Sequence, residues 1–428
     1  MVYREFVDLN YIPSSDELIA LYRIEPAKGF SIEDAAGRVA SESSVGTWTD
    51  VKTMTEFVKE MRARAYEIEG SYVKIAYRPE LFEVGNMSQV FSAIAGNVFG
   101  MKAVRNLRLE DVYWPRDIVK SFPGPLHGMK GVREILKVKK RPLTATVPKP
   151  KIGLSPEEYG KAAYEIMVGG IDLVKDDENN TSLNFCKFKE RVESVLKARD
   201  RAENETGERK GFLANITAPY REMLRRAKLV KELGGEFVMI DILTVGWSAL
   251  QGFREENNDL KLAVHAHRAF HAAFTRNVKH GVSMKVIAEA ARLTGVDHLH
   301  VGTVVGKLES KRVEVLTLAD ILRLDKNREC KRRRVLRKNW WGLKPVMPVS
   351  SGGLHPGLIP YVIDLFGPDV LIQVGGGVMG HPEGPLSGAR AIRQAIDAAL
   401  NGVDLEEYAE NHPELREALG KWGFTKPM

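Results

Sequence analysis

From Pro142 onward the chain repeats one rhythm: a short apolar run, then a segment with helical spacing. The runs are LTATVP (143–148), IDLVKDD (171–177), FLANITA (212–218), FVMIDIL (237–243), LAVHAH (262–267), HLHVGTV (298–304), VMPVSS (346–351) and VLIQVGGG (370–377). Buried parallel strands read as Val/Ile/Leu-rich runs, because both faces are covered. Eight strand–helix units in roughly 250 residues are the arithmetic of a TIM (β/α)8 barrel. A doubly wound open sheet is the alternative. It seldom needs eight such units and favours a GxGxxG after its first strand, and no such motif follows residues 143–148.

The first 120 residues read differently. ELIALYRI (17–24), SYVKIAYR (71–78) and KAVRNLRLEDVYW (102–114) have strand character. Ser31, followed by Glu33 and Asp34, marks a helix start, and SQVFSAIAGNV (88–98) has helical spacing. The order suggests a ferredoxin-like α+β domain. SFPGPLHG (121–128) reads as a linker. The expectation is an α/β protein of two domains: ferredoxin-like over 1–125, and a catalytic TIM barrel over 126–428.

Composition narrows the class. A chain of 428 residues with 44% hydrophobic residues can bury a sizeable core. No apolar run approaches the roughly 18–20 residues a membrane-spanning helix needs, and MVYREFVDLN lacks the pattern of a signal peptide. Two cysteines, Cys186 and Cys330, exclude a disulfide framework and a cysteine-based zinc site. A cytoplasmic protein is expected, with no membrane partner. The net charge is +7, which raises nucleic acid or an anionic substrate as a partner.

In a barrel, catalytic groups sit where strands end. Those positions carry Lys149 and Lys151, then Lys175, Asp177 and Glu178, then His267 with Arg268, His300, Ser351 with Gly352 and Gly353, and Gly375 with Gly376. Carboxylates after IDLV suit Mg²⁺, which takes hard oxygen ligands; a solvated acidic loop is the plainer reading. A lysine beside a metal must point away, pair with the acids, or be modified into an oxygen ligand. His265-Ala-His267 and His298-Leu-His300 have zinc-ligand spacing, as in a binuclear hydrolase, or are satisfied core groups. The glycines after strands seven and eight suit phosphate, since only glycine lets a ligand approach the backbone N–H closely; tight turns are the alternative. Arg268 and Lys307 could answer a second anionic group, so a bisphosphate fits. Lys149 and Lys151, held stiffly in PKPK, suit proton transfer.

These stretches coincide with a known family. GGIDLVKDDEN (169–179), TVPKPKIGLS (146–155), HAHRAFHAAFTR (265–276), GTVVGKLE (302–309), SSGGLHPG (350–357), GGGVMGHPEGP (375–385), ASESSVGTWT (40–49) and AGNVFGMKA (95–103) resemble the large subunit of ribulose-1,5-bisphosphate carboxylase/oxygenase. The resemblance covers nearly the whole chain and is strongest to the archaeal form III enzymes, which work without a small subunit.

The resemblance implies roles residue by residue. Lys175 matches the lysine that reacts with activator CO₂ to become a carbamate, and Asp177 and Glu178 match its partner Mg²⁺ ligands. Lys149 matches the lysine that protonates the C2 carbanion of the upper product, with Lys151 its neighbour. His267 matches a proton-transfer histidine, and Lys307 the loop lysine that closes over the substrate. Thr47, Trp48, Gly353, Gly375 and Gly376 match one phosphate site, with Gly352 beside them; Arg268, His300 and Ser351 match the other. Glu42 and Asn97 match residues that complete a neighbouring subunit's site, so a homodimer, or a higher oligomer of dimers, is implied. The implied reaction is Mg²⁺-dependent enolisation of ribulose 1,5-bisphosphate, CO₂ addition and C2–C3 cleavage to two 3-phosphoglycerates. O₂ competes with CO₂, and form III resemblance points to nucleotide (AMP) salvage. One departure stands out: plant-like enzymes carry Thr-Ile-Lys-Pro-Lys, whereas this chain reads Val147-Pro148-Lys149-Pro150-Lys151, with Thr146 one position away.

Two rivals remain at this level. One is a homologue acting only as an enolase or isomerase on a related sugar phosphate. The other is a nucleic-acid binder using KNRECKRRRVLRK (326–338), although aromatic residues are poorly interleaved there and a solvated helix or loop is expected, with no nucleic-acid partner. Residues 323–338 hold nine Lys and Arg against two carboxylates, equal to the whole net charge of +7.

Overall fold

The computed structural model describes residues 3–49, 51–305 and 311–424. It groups into two compact units, one of residues 1–124, 270–294 and 324–343, the other of residues 125–269, 295–323 and 344–428.

The second unit is a closed barrel of eight parallel strands: β5 (Leu143–Thr146), β6 (Leu173–Lys175), β7 (Gly211–Asn215), β8 (Phe237–Asp241), β9 (Ala263–His267), β11 (His298–His300), β14 (Met347–Ser351) and β15 (Leu371–Gln373). All eight coincide with the eight apolar runs. Alternate residues point inward, and Leu143, Ala145, Leu173, Leu213, Phe237, Met239, Met347, Val349 and Leu371 fill the interior as one buried cluster. Local chemistry starts the helices where they are needed. Ser155 caps the helix Pro156–Val168 through a capping box with Glu158, and proline sits at its first position. At the floor the Asp297 carboxyl accepts backbone N–H groups of His127, Gly128 and Val264 at 2.7–2.8 Å; burial raises its pKa and these bonds offset only part of that cost.

The first unit is built on a sheet of β1 (Leu18–Pro26), β2 (Arg64–Glu69), β3 (Tyr72–Tyr77), β4 (Val104–Tyr113) and β10 (Gly281–Val282), in the order β10-β4-β1-β3-β2. With the helices Ile32–Glu42 and Met87–Ile94, the first four strands form βαββαβ, the ferredoxin-like connection. The pairs among them are antiparallel and β10 adds a parallel edge, so the sheet is mixed. Ser31 and Asp34 make the expected capping box. Strand β2 escapes sequence reading because RAYEIE carries charge at an edge where only Ala65 is fully buried.

The basic segment differs from the helix or loop expected of it. Strands β12 (Lys326–Asn327) and β13 (Lys338–Asn339) pair antiparallel, with a short 3₁₀ turn between them. Leu336 joins Ile19, Leu21 and Ala76 in a small apolar cluster on the sheet.

Candidate active site

Strand β6 delivers four consecutive polar residues to the barrel mouth, and the fold separates their tasks. Asp176 turns toward Arg191, which donates from Nε and Nη2 to its two carboxylate oxygens at 3.0 and 3.1 Å. The backbone N–H of Asn215 completes that pair at 2.9 Å. With neither side chain exposed, this is a structural ion pair that fixes the loop. Asp177 and Glu178 are left for chemistry.

Lys175 is fully buried, and its Nζ donates to the Asp176 carbonyl at 2.7 Å rather than to a carboxylate. Burial pulls its pKa below that of an ordinary lysine, against the opposing pull of Glu178, Asp241 and Asp177. The two lysines of PKPK face the acids instead: Lys149 Nζ lies 3.1 Å from Asp177 Oδ2, and Lys151 Nζ 3.5 Å from Glu178 Oε1. Asp177 titrates below the usual carboxylate range; burial pushes it up, but the Lys149 ammonium and the Asn179 amide outweigh that.

His267 closes the same group. Its Nδ1 lies 2.7 Å from Asp241 Oδ1, and its Nε2 is 3.9 Å from Glu178 Oε2. Burial, then the neighbouring Lys175, lowers its pKa, while Asp241 opposes. Aspartate 241 was missed in the sequence reading, as was Asn215, whose side-chain amide donates to the carbonyls of Asp177 and Glu178. Both end barrel strands, β8 and β7, so the strand-end rule alone marks them.

The other histidines overturn the zinc-hydrolase reading. His298 Nδ1 meets His265 Nδ1 at 3.2 Å, His265 Nε2 meets His300 Nε2 at 2.8 Å, and His300 Nδ1 meets Ser351 Oγ at 2.8 Å. These nitrogens bond to one another, so the pairs form a column inside the barrel and not a metal cradle. Among the described residues no group of three or more His, Cys, Asp or Glu could hold a metal ion. Asp177 and Glu178 offer two carboxylates, and Lys175 beside them would add a third oxygen ligand only as an anionic carbamate. With that modification the donor set is all oxygen and fits Mg²⁺.

At the ends of β14 and β15, Gly352 and Gly353 adopt φ of 123° and 79°, conformations that favour glycine. A Cβ on Gly375 would lie 3.5 Å from Lys149 Cε, and one on Gly376 would meet nothing within 4 Å. Arg268 is half-buried, and burial, opposed by Glu314, lowers its pKa to about 10. Glu42 ends the helix Ile32–Glu42, Thr47 and Trp48 follow it, and Asn97 opens a 3₁₀ turn. These four belong to the first unit; Glu42, Trp48 and Asn97 are exposed. Lys307 lies outside the described residues.

The basic run is tied to its own unit. Lys331 pairs with Glu69 at 3.2 Å, Glu329 with Lys74 at 2.9 Å, and the Arg334 guanidinium lies 3.7 Å from the Tyr72 ring centroid. A face so engaged does not favour the nucleic-acid reading. No helix among the described residues is long and apolar enough to cross a membrane.

Comparison with known proteins gives one result. The profile for the ribulose bisphosphate carboxylase large chain matches through its N-terminal domain at residues 5–118 and its catalytic domain at residues 128–422. Ribulose bisphosphate carboxylase of Pyrococcus abyssi is 55% identical, over 99% of this chain and 98% of that one. The dimeric archaeal Rubisco of Hyperthermus butylicus superposes with a TM-score of 0.95 at 54% identity, covering 99% and 100% of the two chains. The octameric, sulfate-bound Rubisco of Pyrococcus horikoshii follows with a TM-score of 0.92 at 53% identity, covering 100% and 98%.

Proposed function

The chain belongs to the ribulose bisphosphate carboxylase large-chain family, and from that premise we propose which of its residues carry the reaction. It is a ribulose bisphosphate carboxylase, a carboxy-lyase with the oxygenase side reaction. The observation that carries the assignment is the meeting of Lys175, Asp177, Glu178, Lys149 and His267 at one barrel mouth.

Lys175, as the carbamate formed with activator CO₂, and the carboxylates of Asp177 and Glu178 would hold Mg²⁺. The lowered pKa of the buried amine supports this, because only a neutral amine attacks CO₂. Bound there, Mg²⁺ supplies charge stabilisation for the substrate's carbonyl and hydroxyl oxygens. Lys149, whose Nζ donates to Asp177 Oδ2, is the group that delivers a proton to the C2 carbon of the upper product. Asp241 takes the Nδ1 proton side of His267, which leaves Nε2 with a free lone pair facing the site. Lys151 positions Glu178.

Gly352, Gly353, Gly375 and Gly376 offer backbone N–H groups to one phosphate, and Arg268, His300 and Ser351 answer the other; Thr47 and Trp48 match the family's residues for the first phosphate. Lys307 closes over the substrate. Glu42 and Asn97 complete a neighbouring copy's site in a homodimer or an oligomer of dimers, a reading supported by the dimeric and octameric relatives. No small subunit is needed. The substrates are ribulose 1,5-bisphosphate with CO₂ or O₂, in the cytoplasm, and the archaeal sources of the relatives support a role in AMP salvage. Residues 1–125 then form the N-terminal domain and 126–428 the catalytic domain.

The test is direct. Purified protein with Mg²⁺, labelled bicarbonate and the bisphosphate forms acid-stable label in 3-phosphoglycerate. Isomerisation without fixation overturns the reading.

A further inference from the structure

Two of the barrel's histidines, His265 and His298, have no part in the roles above, yet both are fully buried; His265 bonds to His300, which has one, and His298 bonds to His265. The chain His298–His265–His300–Ser351 has one proton per ring, because burial keeps all three imidazoles neutral: it pulls His298 down to about 3 and holds His265 and His300 well below the ordinary value. A neutral imidazole donates from one nitrogen and accepts at the other. Every link therefore sets the next, and the whole column has only two proton orders.

The two ends choose between them. At the floor, His298 Nε2 is buried and meets no hydrogen-bonding partner among the described residues, and the Phe237 ring stacks beside it at 6.3 Å. Buried N–H groups without a partner are rare and costly, so the His298 proton belongs on Nδ1. Nδ1–H donates to His265 Nδ1, His265 Nε2–H donates to His300 Nε2, and His300 Nδ1–H donates to Ser351 Oγ. Ser351 accepts, which leaves its own O–H free to donate outward. At the mouth an anionic phosphate needs a donor, so both ends select the same order.

We infer that His298 and His265 are positioning residues which lock the tautomer of His300 and thereby present the Ser351 hydroxyl as a hydrogen-bond donor to the substrate's phosphate. Both His300 nitrogens are engaged within the column, so His300 acts on the substrate through Ser351. This rests on the assignment of Ser351 to a phosphate site under Proposed function.

Neutron diffraction from crystals exchanged into D₂O reads the proton order. Deuterium is expected on His298 Nδ1, His265 Nε2 and His300 Nδ1; the reverse order overturns the inference. Kinetics test the link to substrate. Ser351→Ala raises KM for the bisphosphate about tenfold, the worth of one oriented hydrogen bond. His298→Phe raises KM in the wild type but adds nothing in the Ser351→Ala background, whereas additive effects in the double variant reduce His298 to a packing role and overturn the proposal. His298→Gln, which returns a donor near Nδ1, restores most of the affinity and covers the case where the phenylalanine variant does not fold. A wild-type KM in Ser351→Ala, with the deuterium order as inferred, overturns the phosphate assignment and leaves the tautomer order standing.

Discussion

Two lysines make the most informative comparison in the molecule. Lys175 in the barrel and Lys338 in the first unit are nearly equally buried, 1% and 4% exposed. Lys338 is enclosed by acceptors: its Nζ lies 2.6 Å from Asp111 Oδ2, 3.1 Å from Glu289 Oε1 and 2.6 Å from the Val112 carbonyl. Burial and then Asp111 push the Glu289 carboxyl well above its ordinary range, so Asp111 is the main counter-charge. Burial alone would lower its pKa, but Asp111 and Glu289 outweigh burial and raise it. Among the described residues Lys175 Nζ donates to one backbone carbonyl, and burial wins. Burial does not decide what a lysine is for. The partners it is given decide that: Lys338 is a permanent cation that staples the basic segment to its sheet, and Lys175 is an amine available to react.

The contrast can be broken most sharply at Lys175. Lys175→Met abolishes carbon fixation in the labelled-bicarbonate assay while the melting temperature stays unchanged or rises, because the buried amine lost has no ion-paired carboxylate among the described residues. Retained fixation contradicts the carbamate assignment. The reverse holds at Lys338. Lys338→Met leaves Asp111 and Glu289 buried without a cation, which costs about 3–5 kcal/mol in denaturant unfolding, whereas fixation per folded molecule persists. Adding Asp111→Asn and Glu289→Gln recovers most of the loss, since a buried pair can be replaced together at little cost.

A smaller effect separates the two by pH. Because the Lys175 pKa is lowered from 10.5, the neutral amine accumulates at a pH where ordinary lysines are still charged. Activation by CO₂ and Mg²⁺, followed as a preincubation time course, rises with pH and levels off before 10.5. A climb that continues to 10.5 would place the amine at its ordinary pKa. Lys338, with its pKa raised above 10.5, contributes stability fully below that value and loses it only as pH rises through the raised pKa.

Much of this was legible in sequence because it is local or periodic. Eight apolar runs became eight barrel strands, and the polar residues at their ends became the site. The exceptions have physical reasons. Strand β2 was hidden because an edge strand with charged residues lacks the apolar signal. Asp241 and Asn215 were passed over although they occupy strand ends, since a lone polar residue is noticed only when its partner is known. The basic run looked like solvated charge, yet Lys338 within it is among the most buried cations of its unit, because its partners Asp111 and Glu289 lie far away along the chain.

Sequence by itself determined the family, the barrel and the residue types at its mouth, since apolar periodicity and motif order are properties of neighbours along the chain. Tertiary structure alone decided that Asp176 pairs with Arg191 while Asp177 faces Lys149, and that four histidines form a column and an acid-held pair instead of metal ligands. Protonation and pairing depend on distances of a few ångströms between residues tens of positions apart, and only the closed barrel sets those distances.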